Sequence, residues 1–103
     1  MANRIIIPES FKLNGKTVQV EFDNDYLSDN KQVGEADFTE KKILLCDVYK
    51  GKKVPKSEID KTFYHELTHQ LLDACERHGL KYNEDFVEEF SQRLYEFART
   101  AKY

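Results

Sequence analysis

The chain is short of the residues that would place it in several familiar classes. Of its 103 residues only two are cysteine, Cys46 and Cys75, and neither is spaced to complete a cysteine-rich zinc site. One falls in an apolar run and the other on a helical apolar stripe, so both read as small buried hydrophobes in a reducing, cytoplasmic setting. No apolar run approaches the length of a membrane span. Arg4 followed by three isoleucines before Pro8 is not the pattern of a signal peptide. A positive excess is also missing: the net charge of −3 gives no general attraction to nucleic acid or to an anionic membrane, and neither partner is expected. Lysines do gather between Lys41 and Lys56, but Gly51 and Pro55 interrupt them without an aromatic platform, the pattern of a solvated loop. Repeats and low-complexity segments are absent, and the length suits a single domain, residues 1–103, with one modest core.

Histidine is scarce as well, and two of the three stand in His65-Glu66-Leu67-Thr68-His69. Residues four apart on a helix differ by about 40° around its axis, so both imidazoles leave one face. Two neutral imidazoles so placed can hold one Zn²⁺, and Glu66 beside the first can take a proton from a water activated by the metal. The surroundings agree with a buried helix: Thr62-Phe63-Tyr64 and Gln70-Leu71 are uncharged, and Ile59, Phe63, Leu67, Leu71 and Ala74 or Cys75 repeat with a helical period.

The first half of the chain, residues 1–50, reads as sheet. Phe11-Lys12-Leu13 and Lys16 to Phe22 flank an Asn14-Gly15 turn, and Val18, Val20 and Phe22 alternate with polar residues toward one buried face. Asp23 to Gly34 reads as a loop. Ala36-Asp37-Phe38 and Lys42 to Cys46 predict a second hairpin through Thr39-Glu40-Lys41, and Asp47 to Lys56 a connector. Two helices follow. The first spans 57–79, with Ser57 as N-cap, Asp60 as a partial capping box, a last helical residue near His78 and Gly79 as its stop. The second spans 83–101, capped by Asn83, with an apolar stripe of Phe86, Phe90, Leu94 and Phe97. The expected fold is α+β: a small antiparallel or mixed sheet with two C-terminal helices on one face.

A catalytic zinc site needs a third protein ligand and an open position. Asp73 continues the histidine face but runs on along the axis, so the ligand should come from the second helix, which offers Glu84, Glu88 and Glu89. Glu89 shares a turn with the apolar stripe and suits the role least. Fourteen residues separate His69 from Glu84. Strictly antiparallel helices would leave Glu84 roughly 10–12 Å along the axis and bring Glu88 nearer. A large crossing angle, or an early end to the first helix, would bring Glu84 back.

The pairing of His65-Glu66-Leu67-Thr68-His69 with Asn83-Glu84-Asp85-Phe86-Val87-Glu88 resembles the gluzincin metallopeptidases. The resemblance covers roughly residues 57 to 100 and is nearest, in size and layout, to minimal single-domain gluzincins and short phage or mobile-element HExxH proteins. It implies a zincin-like core, zinc as cofactor, Glu84 as third ligand and Glu88 as the acid that orients a zinc histidine. It also implies hydrolysis of a peptide or protein substrate with Glu66 as general base, the peptide extended beside the Ile43–Cys46 strand. No oxyanion donor stands out: Tyr95, His78 and Arg93 read as surface or packing residues, and residues 98–103 could lie over the cleft. The alternatives are a zinc-binding interaction module of the same fold without turnover, and a small binding protein in which the motif is accidental.

Overall fold

The computed structural model describes residues 5–103; Arg4, on which the reading of the N-terminus partly rested, lies outside them. Asn14 and Gly15 take positive φ, 54° and 77°, as a two-residue type I′ turn requires. They join β1 (Ser10–Leu13) to β2 (Lys16–Phe22) in an antiparallel pair. The Asn14 amide also reaches across the molecule and donates to the Ala74 carbonyl at 2.9 Å.

The stretch read as a loop contains a short helix, α1 (Asn24–Asp29). Asp23 caps it by accepting the Tyr26 N–H, and Leu27 is its one fully buried residue. A single apolar anchor in a polar run leaves no periodicity to read. The second hairpin forms as expected, with β3 (Gly34–Asp37) antiparallel to β4 (Lys42–Leu45). Strand β4 also pairs parallel with β2, giving a mixed four-stranded sheet in the order β1-β2-β4-β3. The expected connector carries a small ladder of β5 (Val48–Tyr49) and β6 (Lys52–Lys53), turned at Lys50-Gly51.

Val18, Ile43 and Leu45 form the sheet side of the core, and Ile59 and Phe63 of α2 (Lys56–Ala74) cover them. Phe22, the last residue of the β2 alternation, is half exposed instead, beside Ile6 and Ile7. Gln70 is 2% exposed, and its amide donates to the Asp37 and Lys42 carbonyls at 3.1 and 3.0 Å. These two residues face each other across the β3–β4 ladder, so Gln70 pins the histidine-bearing helix to the end of the hairpin.

Both ends of α2 differ from the expectation. Extended Pro55, not Ser57, is the N-cap, its carbonyl accepting the Glu58 and Ile59 N–H groups. The helix ends at Ala74 rather than near His78. There Arg77 N–H bonds the Leu72 carbonyl, Glu76 N–H bonds the Asp73 carbonyl, and Glu76 takes a φ of 57°, which is the Schellman stop. A non-glycine residue fills the left-handed position, so the sequence carried no stop signal there. Cys75 is the C-cap and is exposed, not buried; Cys46 is buried, as expected, and its thiol donates to the Val48 carbonyl.

A one-turn helix, α3 (His78–Lys81), leads to α4 (Glu84–Thr100), whose N-cap is Asn83 as expected: its side chain accepts the Phe86 N–H. The buried face of α4 is not the phenylalanine stripe. Val87 and Ser91 are its buried residues, while Phe90 and Phe97 are 46% and 64% exposed. Small side chains on the inner face allow α4 to lie close to α2, where phenylalanines would hold it off. Among the described residues no helix is long and apolar enough to cross a membrane.

Replacing Glu76 by Gly removes the cost of a left-handed side-chain-bearing residue. Thermal or denaturant unfolding of the variant is expected to show a gain of up to about 1 kcal/mol.

Candidate metal centre

Helix α2 places His65 and His69 one turn apart, with ring centroids 5.1 Å from each other. Each ring is held from behind at Nδ1. The Nδ1 of His69 lies 2.6 Å from the Lys81 backbone carbonyl, and that of His65 lies 2.9 Å from Glu88 Oε2. A carbonyl can only accept, so the proton of His69 sits on Nδ1. Glu88 is held below the usual carboxylate range, first by the Gln92 amide at 2.8 Å and then by His65, and as an ionised acceptor it places the His65 proton on Nδ1 too.

As neutral imidazoles, both rings present an Nε2 lone pair, and both Nε2 atoms face one carboxylate. Glu84 Oε2 lies 3.2 Å from His65 Nε2, and Glu84 Oε1 lies 3.3 Å from His69 Nε2. Protonating a histidine would turn these contacts into ion pairs, but burial pushes His69 below its ordinary value, against the pull of Lys81 and Glu84. With both imidazoles neutral, two ring nitrogens and a carboxylate converge, an arrangement that a cation suits. His65, His69 and Glu84 offer ligand atoms within 4.8 Å of one another and can hold a metal ion. The early end of α2 makes this possible, because the connector turns back in time to set the first turn of α4 beside His69.

Glu66 is 9% exposed and stands at the foot of the same cleft. Its carboxyl is pushed up to about 7, first by burial, with Glu84 and Glu35 adding to the effect and His65 opposing it. A carboxyl poised there can take and return a proton near neutrality. Strand β3 passes directly over it. A Cβ built on Gly34 would clash with Thr62 Cγ2 and lie 3.1 Å from Glu66 Oε2, so glycine is required there by the close approach of strand and helix.

The cleft, a cavity of about 320 Å³, is completed by Glu35, Phe38 and Tyr82. Its strand is β3, which has β4 on one side and, among the described residues, a free edge on the other; β4, the strand expected to carry the peptide, is paired on both sides. The remaining candidates lie elsewhere. Glu89, His78 and Arg93 are exposed, and Asp73 is occupied by Lys41 and Lys81 at 3.2 and 2.7 Å. Tyr95 packs against Tyr64, with Lys61 and Arg99 over its ring. Residues 98–100 complete α4, Ala101 caps it, and the chain ends at a fully exposed Tyr103; none of residues 98–103 lines the cleft. Sequence reasoning missed Gln70, Gly34 and Lys81, since none belongs to a motif and each acts through a contact distant in sequence. Comparison with family models, curated proteins and solved structures finds no match, so the chemistry is argued from the site itself.

Two outcomes follow from this geometry. In metal-free protein the folded state binds the Glu66 proton more tightly than the unfolded chain does. Stability should therefore be full below about pH 4.5 and fall as pH rises toward 7, by on the order of 3 kcal/mol. Denaturant unfolding with a chelator at pH 5 and pH 8 should show this loss, and Glu66→Gln should flatten it. Gly34→Ala should cost about 1–3 kcal/mol by forcing β3 off α2, read by the same method at pH 5, where the Glu66 effect is small.

Proposed function

We propose that this protein is a zinc-dependent peptidase of the gluzincin kind. The observation that carries the reading is the convergence of His65, His69 and Glu84 beside a buried carboxyl, Glu66, under the free edge of β3. Two imidazoles and one carboxylate suit Zn²⁺, although cobalt or manganese can occupy such donors in vitro. A zinc ion held there would supply Lewis acidity to a substrate carbonyl and to a water. Glu66 takes the proton of the attacking water on a carboxylate oxygen and returns it to the leaving amine nitrogen. Glu88 keeps the His65 proton on Nδ1, and the Lys81 carbonyl does the same for His69, so both Nε2 atoms stay free to bind. The peptide lies extended along β3 and bonds to its unpaired backbone groups. The buried free thiol of Cys46 accords with a reducing compartment.

A second reading, a zinc-binding module without turnover, is favoured by one observation. His78, Arg93 and Tyr95, the residues considered from the sequence as oxyanion donors, all stand outside the residues lining the cleft, where Tyr82 is the one hydroxyl-bearing side chain.

Elemental analysis and a peptide-library digest test the two together. Near-stoichiometric zinc is expected in the wild type and is lost in His69→Ala and Glu84→Ala. Glu88→Gln should keep zinc with affinity about 10- to 100-fold weaker. Glu66→Gln should keep zinc while cleavage falls by about 10²-fold or more. A wild type that cleaves nothing but holds zinc would support the module, and one that refuses zinc at neutral pH would sink both readings.

A further inference from the structure

Lys81 is the one lysine among the buried polar residues, 6% exposed, in a connector whose neighbours from Cys75 to Asn83 are otherwise exposed. Its ammonium bonds Asp73 Oδ1 at 2.7 Å, and Lys41 takes the other oxygen of that carboxylate at 3.2 Å. The ammonium also lies 4.2 Å from the centre of the Phe38 ring and 5.0 Å from that of Tyr82, within reach of attraction to both ring faces. Asp73 stands one helical turn beyond His69 on α2. The backbone carbonyl of Lys81 is the group that receives the His69 Nδ1–H.

Burying an ion pair is a poor way to gain stability, because two charges must leave water, and apolar residues of the same volume often serve as well or better. The pair does supply position. It fastens residue 81 to the helix that carries His69 at a point one turn away, with Phe38 of the β3–β4 turn as backstop. We propose that Lys81, held by Asp73, is a positioning residue for the metal centre: its side chain sets its own carbonyl under His69, which keeps the proton on Nδ1 and leaves Nε2 for the ion. Asp73 thereby has a role distinct from ligation, and the connector between α2 and α4 becomes part of the site.

Part of the test rests on the zinc reading and part does not. Lys81→Met keeps the unbranched apolar stem, one atom shorter, while removing the charge, and Lys41 remains to satisfy Asp73. Zinc affinity is measured by competition with a chromophoric chelator, and the His69 tautomer by ¹⁵N NMR of the metal-free protein at pH 7.5. Lys81→Met should weaken zinc about 10- to 100-fold and produce the Nε2–H tautomer at His69, and Lys81→Arg should restore both. Zinc affinity within about twofold of wild type, whatever happens to the unfolding midpoint, would overturn the proposal and leave Lys81 a packing residue. If the wild type itself refuses zinc, the metal reading fails, and the tautomer comparison alone decides: an unchanged Nδ1–H overturns the positioning role. Should Lys81→Met not fold, Asp73→Asn, which keeps the shape and removes the charge, is read against the same outcomes.

Discussion

Because Glu76 adopts a left-handed conformation, the helix bearing both histidines stops at Ala74, and the arrangement of the C-terminal half depends on that stop. Had α2 run on to His78, another turn of helix would have carried the chain about 6 Å farther from His69 before it could reverse. Glu84 would then lie beyond reach, and Glu88 would be the nearer acid. With the stop at Ala74, α3 and Asn83 return the chain so that Glu84 meets both Nε2 atoms and Glu88 meets the Nδ1 of His65. The turn is fastened from two sides. Asn14 donates to the Ala74 carbonyl, and Lys81 bonds to Asp73. One end of one helix thus joins the first hairpin, the connector and the site.

The sheet supplies the opposing constraint. Gln70 ties α2 to the end of the β3–β4 hairpin, and Gly34 lets β3 come close enough to bury Glu66. Neither contact involves a ligand atom, yet both determine how near the free strand edge lies to the histidines. That edge is a liability for a small domain, since unpaired backbone groups invite pairing with other chains. Here it borders the cleft, where pairing with an extended peptide would be useful.

How much of this could be read from the sequence divides along physical lines. Local signals were legible: the Asn14-Gly15 turn, the two hairpins, the helical period through Ile59, Phe63 and Leu67, and the Asn83 cap all follow from neighbouring residues. The histidine pair was legible because i and i+4 share a face on any helix. What escaped depended on contacts distant in sequence. Leu27 alone anchors α1, so no pattern announces it. The Glu76 stop lacks glycine. The phenylalanines of α4 form its strongest apolar stripe, but Phe86, Phe90 and Phe97 fall about 120–160° from Glu84 around a helix. Turning Glu84 and Glu88 toward α2 therefore turns that stripe outward and buries Val87 and Ser91. In this helix the site, rather than hydrophobicity, accords with the rotation observed.

A hydrolytic centre and a structural one make different demands on the carboxyl beside the ligands. A structural ion needs its ligands and nothing more, and any neighbouring carboxyl would best be exposed or paired. Glu66 is neither. It is buried against Gly34 with no cationic side chain among the described residues bonded to it, and it carries two further carboxylates nearby that push its proton affinity up. Such a group lowers stability at neutral pH, where replacement by a neutral side chain would relieve the molecule. A residue that costs stability and supplies no ligand is expected where proton transfer demands it. In the proposed peptidase, proton transfer gives that carboxyl its use beside His65, His69 and Glu84.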